Sequence, residues 1–384
     1  MKICHLSLCG PYNEGWGYQE NILPKYHVKQ GHEVYQIVTP YMWEGSLLVK
    51  SSDVAYKNAN GVNIIRSKEK QAAFGGNRFN KYPELFPKLR EISPDVLFVH
   101  GCQFLDIDQV VKYLKKNPET VVYVDNHADF SNSATNWLSK NILHKIVWRR
   151  CARLIEPYAR KFYGVLPARV DFLKDVYGLP EEKCELLVMG ADDDLVEAAC
   201  APEVRERLRV KYGIRQEDFL IVTGGKIDRW KTQILLLMQA VRELRAENVK
   251  LLVFGSVVPE LKAQLESLVD DEKVKYVGWI TALESFDFFS AADLAVFPCR
   301  HSVMWEQAAG QGIPLIVKDW EGTRHVDLGG NVKFLYNDSV EEIKDAIELL
   351  INCPEKYSEM KSVAEDKGMK VFSYNEIAKR AIET

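Results

Sequence analysis

The chain has 384 residues, of which 47% are hydrophobic and 27% are charged, and its formal net charge is −4. This length is more than one hydrophobic core usually organises, and it predicts two domains. The composition is that of an ordinary globular protein, and the slightly acidic balance argues against a nucleic-acid partner.

Short apolar runs alternate with amphipathic stretches along the chain. In the first half, the predicted strands are 2–8, 33–40, 62–67, 95–101 and 120–126. In the second half, they are 219–225, 249–255, 274–280, 293–299, 314–319 and 332–336, with helices expected at 232–247 and 339–351. Strands separated by helices are typical of βαβ units and parallel sheets. Because the pattern restarts near residue 219, we expect two doubly wound α/β domains.

The start of the chain, MKICHLSLCGPYNEGWG, is a short apolar run followed by a glycine-rich loop, which predicts a first strand and not a signal peptide. No apolar stretch approaches the roughly 20 residues of a membrane span. The cysteines are scattered and fit free thiols in a reducing compartment better than disulfides or a zinc site. They are Cys4, Cys9, Cys102, Cys151, Cys184, Cys200, Cys299 and Cys353. Together these features predict a cytoplasmic protein.

Two loops at the ends of first-half strands carry candidate functional groups. Gly15 and Gly17 follow the first strand and could bring backbone N–H groups close to a phosphate, although the third glycine of the dinucleotide fingerprint is missing. Asp125, His127 and Asp129 follow the strand at 120–126, where a histidine beside carboxylates can exchange protons near neutral pH. An ordinary tight turn and a structural histidine remain the alternatives.

The loop GGKIDRWK, residues 224–231, places Lys226 and Lys231 between a strand and the start of a helix, with Arg229 between them. Two lysines near a helix N-terminus suit a diphosphate. The alternative is a solvated basic turn, but the position at the carboxyl end of a strand favours the binding site.

The stretch HSVMWEQAAGQGIP, residues 301–314, follows the predicted strand at 293–299. Ser302 is expected to cap a short helix that runs from about Val303 to Ala309. Glu306 lies one turn into that helix, among residues that look buried. A carboxylate there could accept hydrogen bonds from the vicinal hydroxyls of a ribose, and the alternative is a buried pair with Arg300.

The order of these parts resembles the retaining glycosyltransferases of the GT-B fold, in particular glycosyltransferase family 4. The family shows a glycine-rich first loop, a G-H-E-V turn (here 31–34), a histidine after a strand (His127) and a basic pair (Lys226 and Lys231). An E-A-x-x-x-G-x-P helix, here EQAAGQGIP, and a C-terminal helix, here residues 372–382, follow. The resemblance covers nearly the whole chain.

Two positions depart from the family pattern. A first glutamate usually lies eight residues before the second, but Pro298 occupies that position here. That glutamate usually contacts the donor sugar, and His301 and Ser302 are the natural substitutes. Lys226 replaces the usual arginine and keeps the charge without the planar fork of donors.

The resemblance implies a GT-B architecture of two Rossmann-like domains that face each other across a cleft. An acceptor-binding domain is expected at 1–190, a nucleotide-sugar-binding domain at 191–367, and a helix returning to the first domain at 368–384. The implied activity is transfer of a sugar, with retention of configuration, from a nucleotide-diphosphate donor (UDP-linked by preference). The acceptor would be a saccharide or lipid-linked saccharide in the assembly of bacterial cell-surface polysaccharide.

The resemblance also implies residue roles. His127, Lys226 and Lys231 would act in catalysis, with the lysines offsetting charge on the leaving diphosphate. Donor contacts would come from those lysines and from a further set: Gly15, Gly17, His301, Ser302, Val303 and Glu306. No metal and no cofactor are expected, because the lysines and helix N-termini would supply the positive charge.

The acceptor is expected to bind the first domain. Basic and apolar residues mix in the stretch 140–164, which includes Arg149, Arg150 and Arg153, and again in 75–90, which includes Arg78. Such a face can dock on an anionic membrane, here the inner face of the plasma membrane. The alternative is a packed helix over 140–161 with a solvated basic face.

Three other functions compete with glycosyl transfer. A sugar-nucleotide epimerase can share the fold but needs no acceptor. A non-catalytic two-lobed sugar-binding or nucleotide-binding protein is a further alternative. An NAD-dependent dehydrogenase is disfavoured, because neither half contains G-x-G-x-x-G with an acidic residue about 20 positions later.

Overall fold

A computed structural model describes residues 1–45, 47–72, 79–270 and 272–383. The chain forms two compact units, one made of Met1–Val188 with Ile377–Thr384 and the other of Met189–Glu376. The first division lies close to the expected boundary at residue 190. The second does not lie at 368, because that residue is inside a helix, Pro354–Phe372, that stays in the second unit.

The first unit is built on a mostly parallel sheet. Its strands are β1 (Lys2–Ser7), β2 (Glu33–Val38), β3 (Tyr41–Glu44), β4 (Leu47–Lys50), β5 (Ala55–Lys57), β6 (Asn63–Arg66), β7 (Val96–His100), β8 (Val121–Asn126), β9 (Ala159–Gly164) and β10 (Cys184–Leu186). Its helices are α1 (Gln19–Lys29), α2 (Leu85–Ile92), α3 (Ile107–Leu114), α4 (Arg149–Ile155) and α5 (Pro167–Asp175). A π-helical segment, Ser139–Trp148, leads directly into α4.

Eight strands form the main sheet in the order β10-β9-β8-β7-β1-β2-β6-β5, and β3 pairs separately with β4. All neighbours in the main sheet are parallel except β5 and β6. Every residue of β7 is buried, as expected for a parallel strand covered on both faces. The connections leave in opposite directions from β1 and β7, so the loops after these two strands diverge and open a crevice.

The second unit contains a purely parallel sheet. Its strands are β11 (Phe219–Gly224), β12 (Val249–Phe254), β13 (Val274–Gly278), β14 (Leu294–Phe297), β15 (Leu315–Lys318) and β16 (Val332–Leu335). Its helices are α6 (Asp193–Ala199), α7 (Pro202–Lys211), α8 (Gln233–Glu243), α9 (Pro259–Leu268), α10 (Glu284–Ala291), α11 (Met304–Gly310), α12 (Val340–Asn352) and α13 (Pro354–Phe372). The last helix, α14 (Tyr374–Ala381), crosses the division at Ile377.

The strand order in this sheet is β13-β12-β11-β14-β15-β16, so the direction of winding changes between β11 and β14. Helix α8 packs its apolar face into the core through Leu237, Met238 and Val241, all fully buried. Burying one such side chain contributes about 1.5–3 kcal/mol. The packed core fixes the ends of β11 and β14, where the diverging loops form the ligand crevice of this type of sheet.

All the strands predicted from the sequence are confirmed, most of them shorter at one or both ends. The prediction missed β3, β4, β5, β9 and β10. The helix considered over 140–161 is wrong at its end, because the chain turns after Tyr158 and Ala159–Gly164 pairs with β8 as β9. In the part of the chain that the structure describes, no helix combines the length and apolarity needed to cross a bilayer.

Candidate functional site

The crevice of the second unit is formed by the loops that follow β11 and β14. These loops contact each other: the Cys299 Sγ lies 3.5 Å from the backbone oxygen of Lys231. The Arg300 guanidinium also lies 4.6 Å from the centre of the Trp230 ring, a cation–π contact. The two sequence motifs that the resemblance singled out therefore meet at one edge of the sheet.

Lys231 is the partly buried cation of this crevice. Burial lowers the pKa of its ammonium, and this effect outweighs the raising effects of Cys299 and Asp228. Its Nζ lies only 3.5 Å from the point where a Cβ on Gly225 would be, and Gly225 has a φ of +123°. Among the described residues, Lys231 has no ion-pair partner. An unpaired, partly buried ammonium beside open glycine backbone suits a bound anion.

Lys226 differs from Lys231 in its surroundings. Its side chain is 66% exposed, and its Nζ lies 3.9 Å from Asp228 Oδ2. An ion pair this exposed contributes little to stability. The sequence treats the two lysines as an equal pair, whereas in the structure Lys231 is partly buried and Lys226 is exposed.

Glu306 is fully buried, and its carboxylate is held by two histidines. The Nε2 atoms of His301 and His325 each donate to Glu306 Oε1 at 2.7 Å. The alternative pairing with Arg300 is not seen, since its guanidinium lies over the rings of Trp230 and Trp320. Sequence reasoning missed His325, which reaches Glu306 from the loop after β15 and carries no local motif.

The second oxygen of Glu306 has no hydrogen-bond partner among the residues that the structure describes. Burial alone would raise the pKa of this carboxyl group, but His301 and His325 outweigh burial and hold the pKa well below its usual range. The group is therefore ionised, and its buried Oε2 accepts no hydrogen bond from the described residues. Leaving such an acceptor unsatisfied costs about 1–3 kcal/mol or more. A ligand that donates hydrogen bonds to Oε2 would recover this energy.

The start of α11 matches the expected cap only in part, because Val303 and not Ser302 occupies the N-cap position, and the Val303 side chain makes no capping bond. Ser302 Oγ accepts a hydrogen bond from the backbone N–H of Met304, 3.2 Å away, and the helix begins at Met304. Val303 is thus the last residue before the helix. His301, expected to contact the donor sugar, uses its Nε2 to hold Glu306, and a sugar contact from His301 or Ser302 stays a prediction.

The first unit contains a cavity of about 210 Å³ at the point where the loops after β1 and β7 diverge. Its polar wall is made of Ser7, Cys9, Glu20, His100, Gln103 and His127. Gly15 and Gly17 lie in the exposed loop between β1 and α1, with nothing within 4 Å of a Cβ at either position. This open backbone leaves room for a ligand to approach, but these glycines do not line the cavity.

His127 shares the Asp125 carboxylate with a second histidine that the sequence reading did not single out. His100 Nδ1 donates to Asp125 Oδ2 at 2.7 Å, and His127 Nε2 lies 3.3 Å from the same oxygen, outside hydrogen-bond geometry. Burial lowers the pKa of His127, but the Asp125 carboxylate outweighs it, and the pKa is raised overall. Asp129 instead pairs with Arg169 at 3.0 Å and has a structural role.

Two groups of side chains bring histidine nitrogens and a carboxylate oxygen within 4.8 Å of one another among the described residues. In the group of His100, Asp125 and His127, both ring nitrogens of His100 are already hydrogen-bonded. In the other group, both histidine Nε2 atoms donate to Glu306. Hydrogen bonding accounts for both arrangements, and the expected independence from metal stays a prediction.

The basic face expected to meet the acceptor or a membrane is also apolar. Arg150 and Arg153 are exposed on α4, while Arg149 is partly buried and its guanidinium would lie 2.7 Å from a Cβ on Gly178. We call the following exposed set the amphipathic face: Trp137, Leu138, Ile142, Lys145, Ile146, Arg150 and Arg153. Arg78, named from the stretch 75–90, lies outside the described residues.

Comparison with known proteins identifies the class. Residues 218–353 match the family described as glycosyl transferases group 1. A glycosyltransferase from Rickettsia africae has a TM-score of 0.69 at 15% identity, with 100% of this chain and 99% of that chain covered. The Anabaena protein HepE in complex with UDP also has a TM-score of 0.69 at 15% identity, with coverages of 99% and 98%.

One curated relative is the mannosylfructose-phosphate synthase of Agrobacterium fabrum, 22% identical over 253 residues. The match covers 62% of this chain and 53% of that relative, so this chain spans about half the length of the protein it matches. The fold is that of the GT-B glycosyltransferases, and the predicted fold class is confirmed. The stretch that matches the group 1 glycosyl transferase model lies within the second unit.

Proposed function

We propose that this protein is a retaining glycosyltransferase that moves a sugar from a nucleotide-diphosphate donor to a saccharide or lipid-linked saccharide. The observation that carries the proposal is the half-satisfied carboxylate of Glu306, with Oε1 held by two histidines and Oε2 buried without a partner. A carboxylate oxygen in this state is a strong acceptor for the two vicinal hydroxyls of a ribose.

The donor would bind in the crevice of the second unit. Glu306 would accept from the ribose, and the partly buried ammonium of Lys231 would meet the diphosphate beside Gly225. UDP is the preferred nucleotide, and the complex of HepE with UDP supports this choice for a protein of the same fold. Lys226, exposed on the same loop, can swing toward the outer phosphate without losing a buried contact.

Catalysis would depend on charge stabilisation of the leaving diphosphate. As the bond between sugar and diphosphate breaks, negative charge builds on the phosphate oxygens, and a cation fixed in a buried site stabilises this charge better than one in water. Lys231 satisfies that condition. Because the lysines supply positive charge, a chelator such as EDTA is expected to leave transfer unchanged.

The acceptor would bind the first unit, with the reacting saccharide in its polar cavity. The hydroxyl, carboxylate, amide and imidazole groups of Ser7, Glu20, Gln103 and His127 can all hydrogen-bond to sugar hydroxyls. The exposed tryptophan and isoleucines of the amphipathic face, flanked by cations, suit an anionic membrane that presents a lipid-linked acceptor at its inner surface. A role in bacterial cell-surface polysaccharide assembly follows from such an acceptor.

A binding cycle tests the central contact. Titration calorimetry would compare UDP with 2′,3′-dideoxy-UDP on the native protein and on Glu306→Ala. We expect the native protein to lose about tenfold or more in affinity for the dideoxy nucleotide, since a hydrogen bond to a charged group contributes about 1.5–3 kcal/mol. In Glu306→Ala, the two nucleotides should bind within about twofold of each other.

Glu266→Ala is the matched control, because Glu266 is an exposed glutamate of the same unit, with its side chain 60% exposed. It should discriminate between the nucleotides as the native protein does. Equal loss of affinity for dideoxy-UDP in the native protein and in Glu306→Ala would remove Glu306 from the ribose site.

A further inference from the structure

A continuous chain of hydrogen bonds crosses the interior of the first unit. His27 Nε2 bonds the backbone oxygen of Ala378 at 2.9 Å, and His27 Nδ1 meets His5 Nε2 at 3.0 Å. His5 Nδ1 meets His100 Nε2 at 2.9 Å, and His100 Nδ1 meets Asp125 Oδ2 at 2.7 Å. The chain therefore links the C-terminal helix to the wall of the candidate acceptor cavity.

The chain is buried apart from the edge of His100 that lines the cavity, and neighbouring elements hold it in place. His5 and His27 are fully buried, and His100 and Asp125 are buried. The Phe98 ring packs 5.5 Å from the His5 ring and 4.9 Å from the His100 ring, centre to centre. The residues come from α1, β1, β7 and β8, so the packed sheet fixes the separation of the rings.

The number of protons in the chain follows from its two ends. Both ends, the carbonyl of Ala378 and the carboxylate of Asp125, can only accept. The four links, Ala378–His27, His27–His5, His5–His100 and His100–Asp125, each need one hydrogen. A neutral imidazole brings one N–H, so the three histidines His27, His5 and His100 fill only three links when all are neutral.

We propose that this chain holds one added proton, carried by His100 as an imidazolium beside the Asp125 carboxylate, and that it fixes Asp125 next to His127, which lines the cavity. His5 and His27 then stay neutral. The Nε2–H of His5 donates to His27 Nδ1, and the Nε2–H of His27 donates to the Ala378 carbonyl. The added charge and the carboxylate cancel, so no net charge is buried. Without the proton, one pair of acceptor atoms would face each other without a hydrogen, which is unfavourable in a dry interior.

The environment of the neighbouring groups agrees with this placement. Burial, followed by the charges of His27 and His100, holds the pKa of His5 well below its ordinary value. Burial also lowers the pKa of His27 to about 4, against the raising effect of the Ala378 carbonyl. Burial alone would raise the pKa of Asp125, but His100 and His127 outweigh it and the pKa is lowered. These directions keep His5 and His27 neutral, and the count of four links then leaves the added hydrogen to His100.

Few other charges face the chain. The His32 ring lies edge-on to the His27 ring, with the ring centres 6.2 Å apart. The amino terminus of the polypeptide, on Met1, lies 3.5 Å from His32 Nδ1. Glu20 and Arg169 act on His127 from α1 and α5, with opposite signs. These groups lie near the two ends of the hydrogen-bond chain. Among the described residues, Asp125 is the acidic group that bonds to His100.

With the imidazolium of His100 beside it, the Asp125 carboxylate is held in its ionised form and is a weak base. Under the proposed function, on which this consequence rests, Asp125 is not the base that takes a proton from the acceptor hydroxyl. His5, His27 and His100 are positioning residues: they fix the Asp125 carboxylate that lies 3.3 Å from His127. The C-terminal helix contributes through the Ala378 carbonyl, one of the helix-end carbonyls that lack a partner within the helix.

Nitrogen-15 NMR of the full-length protein with labelled histidine tests the proton count directly. At neutral pH we expect hydrogen on both ring nitrogens of His100, and on Nε2 only in His5 and His27. A single N–H on His100, or an Nδ1–H on His5, would overturn the proposal. This readout does not involve substrate, so it is independent of whether the protein transfers sugar.

A variant of the far end gives a second, sharper test. In His27→Phe the link to Ala378 is gone, and the two remaining links, His5–His100 and His100–Asp125, need only the two hydrogens of neutral His5 and His100. We therefore expect His100 to lose its added proton and His5 to move its hydrogen from Nε2 to Nδ1. His27→Gln retains a donor and an acceptor at this position. It should therefore preserve the native proton positions on His5 and His100.

His32→Phe is the matched control, because it removes a neighbouring histidine that is outside the chain. It should leave the signals of His5 and His100 unchanged. If His27→Phe keeps a doubly protonated His100 and the native hydrogen position on His5, the chain does not set the proton count and the proposal fails. If His27→Phe does not fold, the signals of the native protein and of His27→Gln still decide it.

Discussion

Glu306 lies in the second unit as a buried charge with one oxygen engaged and the other free. Its two histidine donors make ionisation favourable despite complete burial, and the pKa is lowered as a result. The native state therefore holds this carboxylate in its charged form more strongly than the unfolded chain does. Function and stability are coupled at this residue through its protonation.

Acid unfolding should report this coupling. With a folded-state pKa below the ordinary value of 4.5, Glu306 contributes stability that is present above that value. The contribution is lost as pH falls through the folded-state pKa, because the unfolded chain binds the proton first. We expect the free energy of unfolding of Glu306→Gln, measured by denaturant titration, to fall less steeply with acidification than that of the native protein.

Glu266→Gln provides the control for that measurement, since its carboxylate is exposed and pairs with Lys262 only at 3.8 Å. Its unfolding free energy should follow the native slope against pH. Identical slopes for all three proteins would mean that the histidines do not stabilise the charge of Glu306.

Lys231 is expected to separate activity from stability. In Lys231→Ala, donor turnover should fall by roughly tenfold or more, because the cation proposed to meet the leaving diphosphate is removed. The free energy of unfolding should not fall, since the native state gives up an ammonium whose pKa is lowered by burial. Steady-state kinetics and thermal unfolding of the same preparation would check both.

Lys262→Ala, which removes an exposed lysine of the same unit, should change neither quantity. Native turnover in Lys231→Ala would exclude this lysine from the reaction, whereas a large loss of stability would show that it is a structural residue.

At this scale, local patterns predicted some placements and could not predict others. The capping contact of Ser302 and the burial of Glu306 follow from residues within one turn of helix, so a short stretch of sequence contains them. The pairing of Glu306 with His325 does not, because the two residues meet only after β15 is placed beside β14. For the same reason, nothing in the sequence distinguishes the partly buried Lys231 from the exposed Lys226.

Among the elements, the helical segment Ser139–Trp148 with α4 is notable for the apolar side chains it leaves exposed. Ile146 is 58% exposed, and Trp137, two residues before the segment, is 72% exposed. Clustered exposed apolar side chains often mark a binding surface. Basic residues of the amphipathic face lie along the same stretch. Exposed apolar and basic side chains on one face are typical of a helix that binds an anionic lipid surface.

Vesicle sedimentation tests this element. The affinity of the double variant Arg150→Ala with Arg153→Ala for vesicles rich in phosphatidylglycerol should be roughly tenfold lower or more, since each basic residue near such a surface contributes about 1 kcal/mol. Binding to neutral phosphatidylcholine vesicles should be weak for both proteins. The control double variant, Lys262→Ala with Lys361→Ala, removes the same charge from exposed positions of the second unit.

Equal binding of the native protein and the arginine variant to anionic vesicles would assign the basic residues to an ordinary solvated surface. Equal losses in the arginine and lysine variants would point to net charge and not to this face.

The elements missed by the sequence reading share a physical cause. Strand β9 follows a helix directly and contains the basic residues Arg160 and Lys161, so its sequence continues the preceding basic pattern. Its identity is set by pairing with β8, a contact between distant parts of the chain. The long apolar runs of β7, β8, β11 and β12 needed no such information, because a buried parallel strand is apolar along its length.

At the scale of the whole molecule, both units place their candidate residues where the winding of a parallel sheet changes direction. The loops after β1 and β7 open the cavity of the first unit, and those after β11 and β14 open the crevice of the second. The alternation of strands and helices was sufficient to predict these positions. It could not assign the nucleotide or the acceptor, since those depend on side chains that converge from several loops.

A sugar-nucleotide epimerase of the same fold would also bind a nucleotide-sugar. The two activities differ in product: an epimerase converts UDP-sugar to an isomer without an acceptor, whereas a transferase releases UDP. Both activities need the nucleotide site. Every other functional assignment depends on this site.

A thermal-shift measurement with UDP, GDP, ADP and their sugars tests for the nucleotide site most directly. A ligand that binds only the folded state at about 100 times its Kd stabilises it by about 2.7 kcal/mol, which should raise Tm by several degrees for a domain of this size. We predict such a rise with UDP or a UDP-sugar in the native protein, and a much smaller one in Glu306→Ala at the same concentration. Unchanged Tm with every nucleoside diphosphate and nucleotide-sugar would contradict the account.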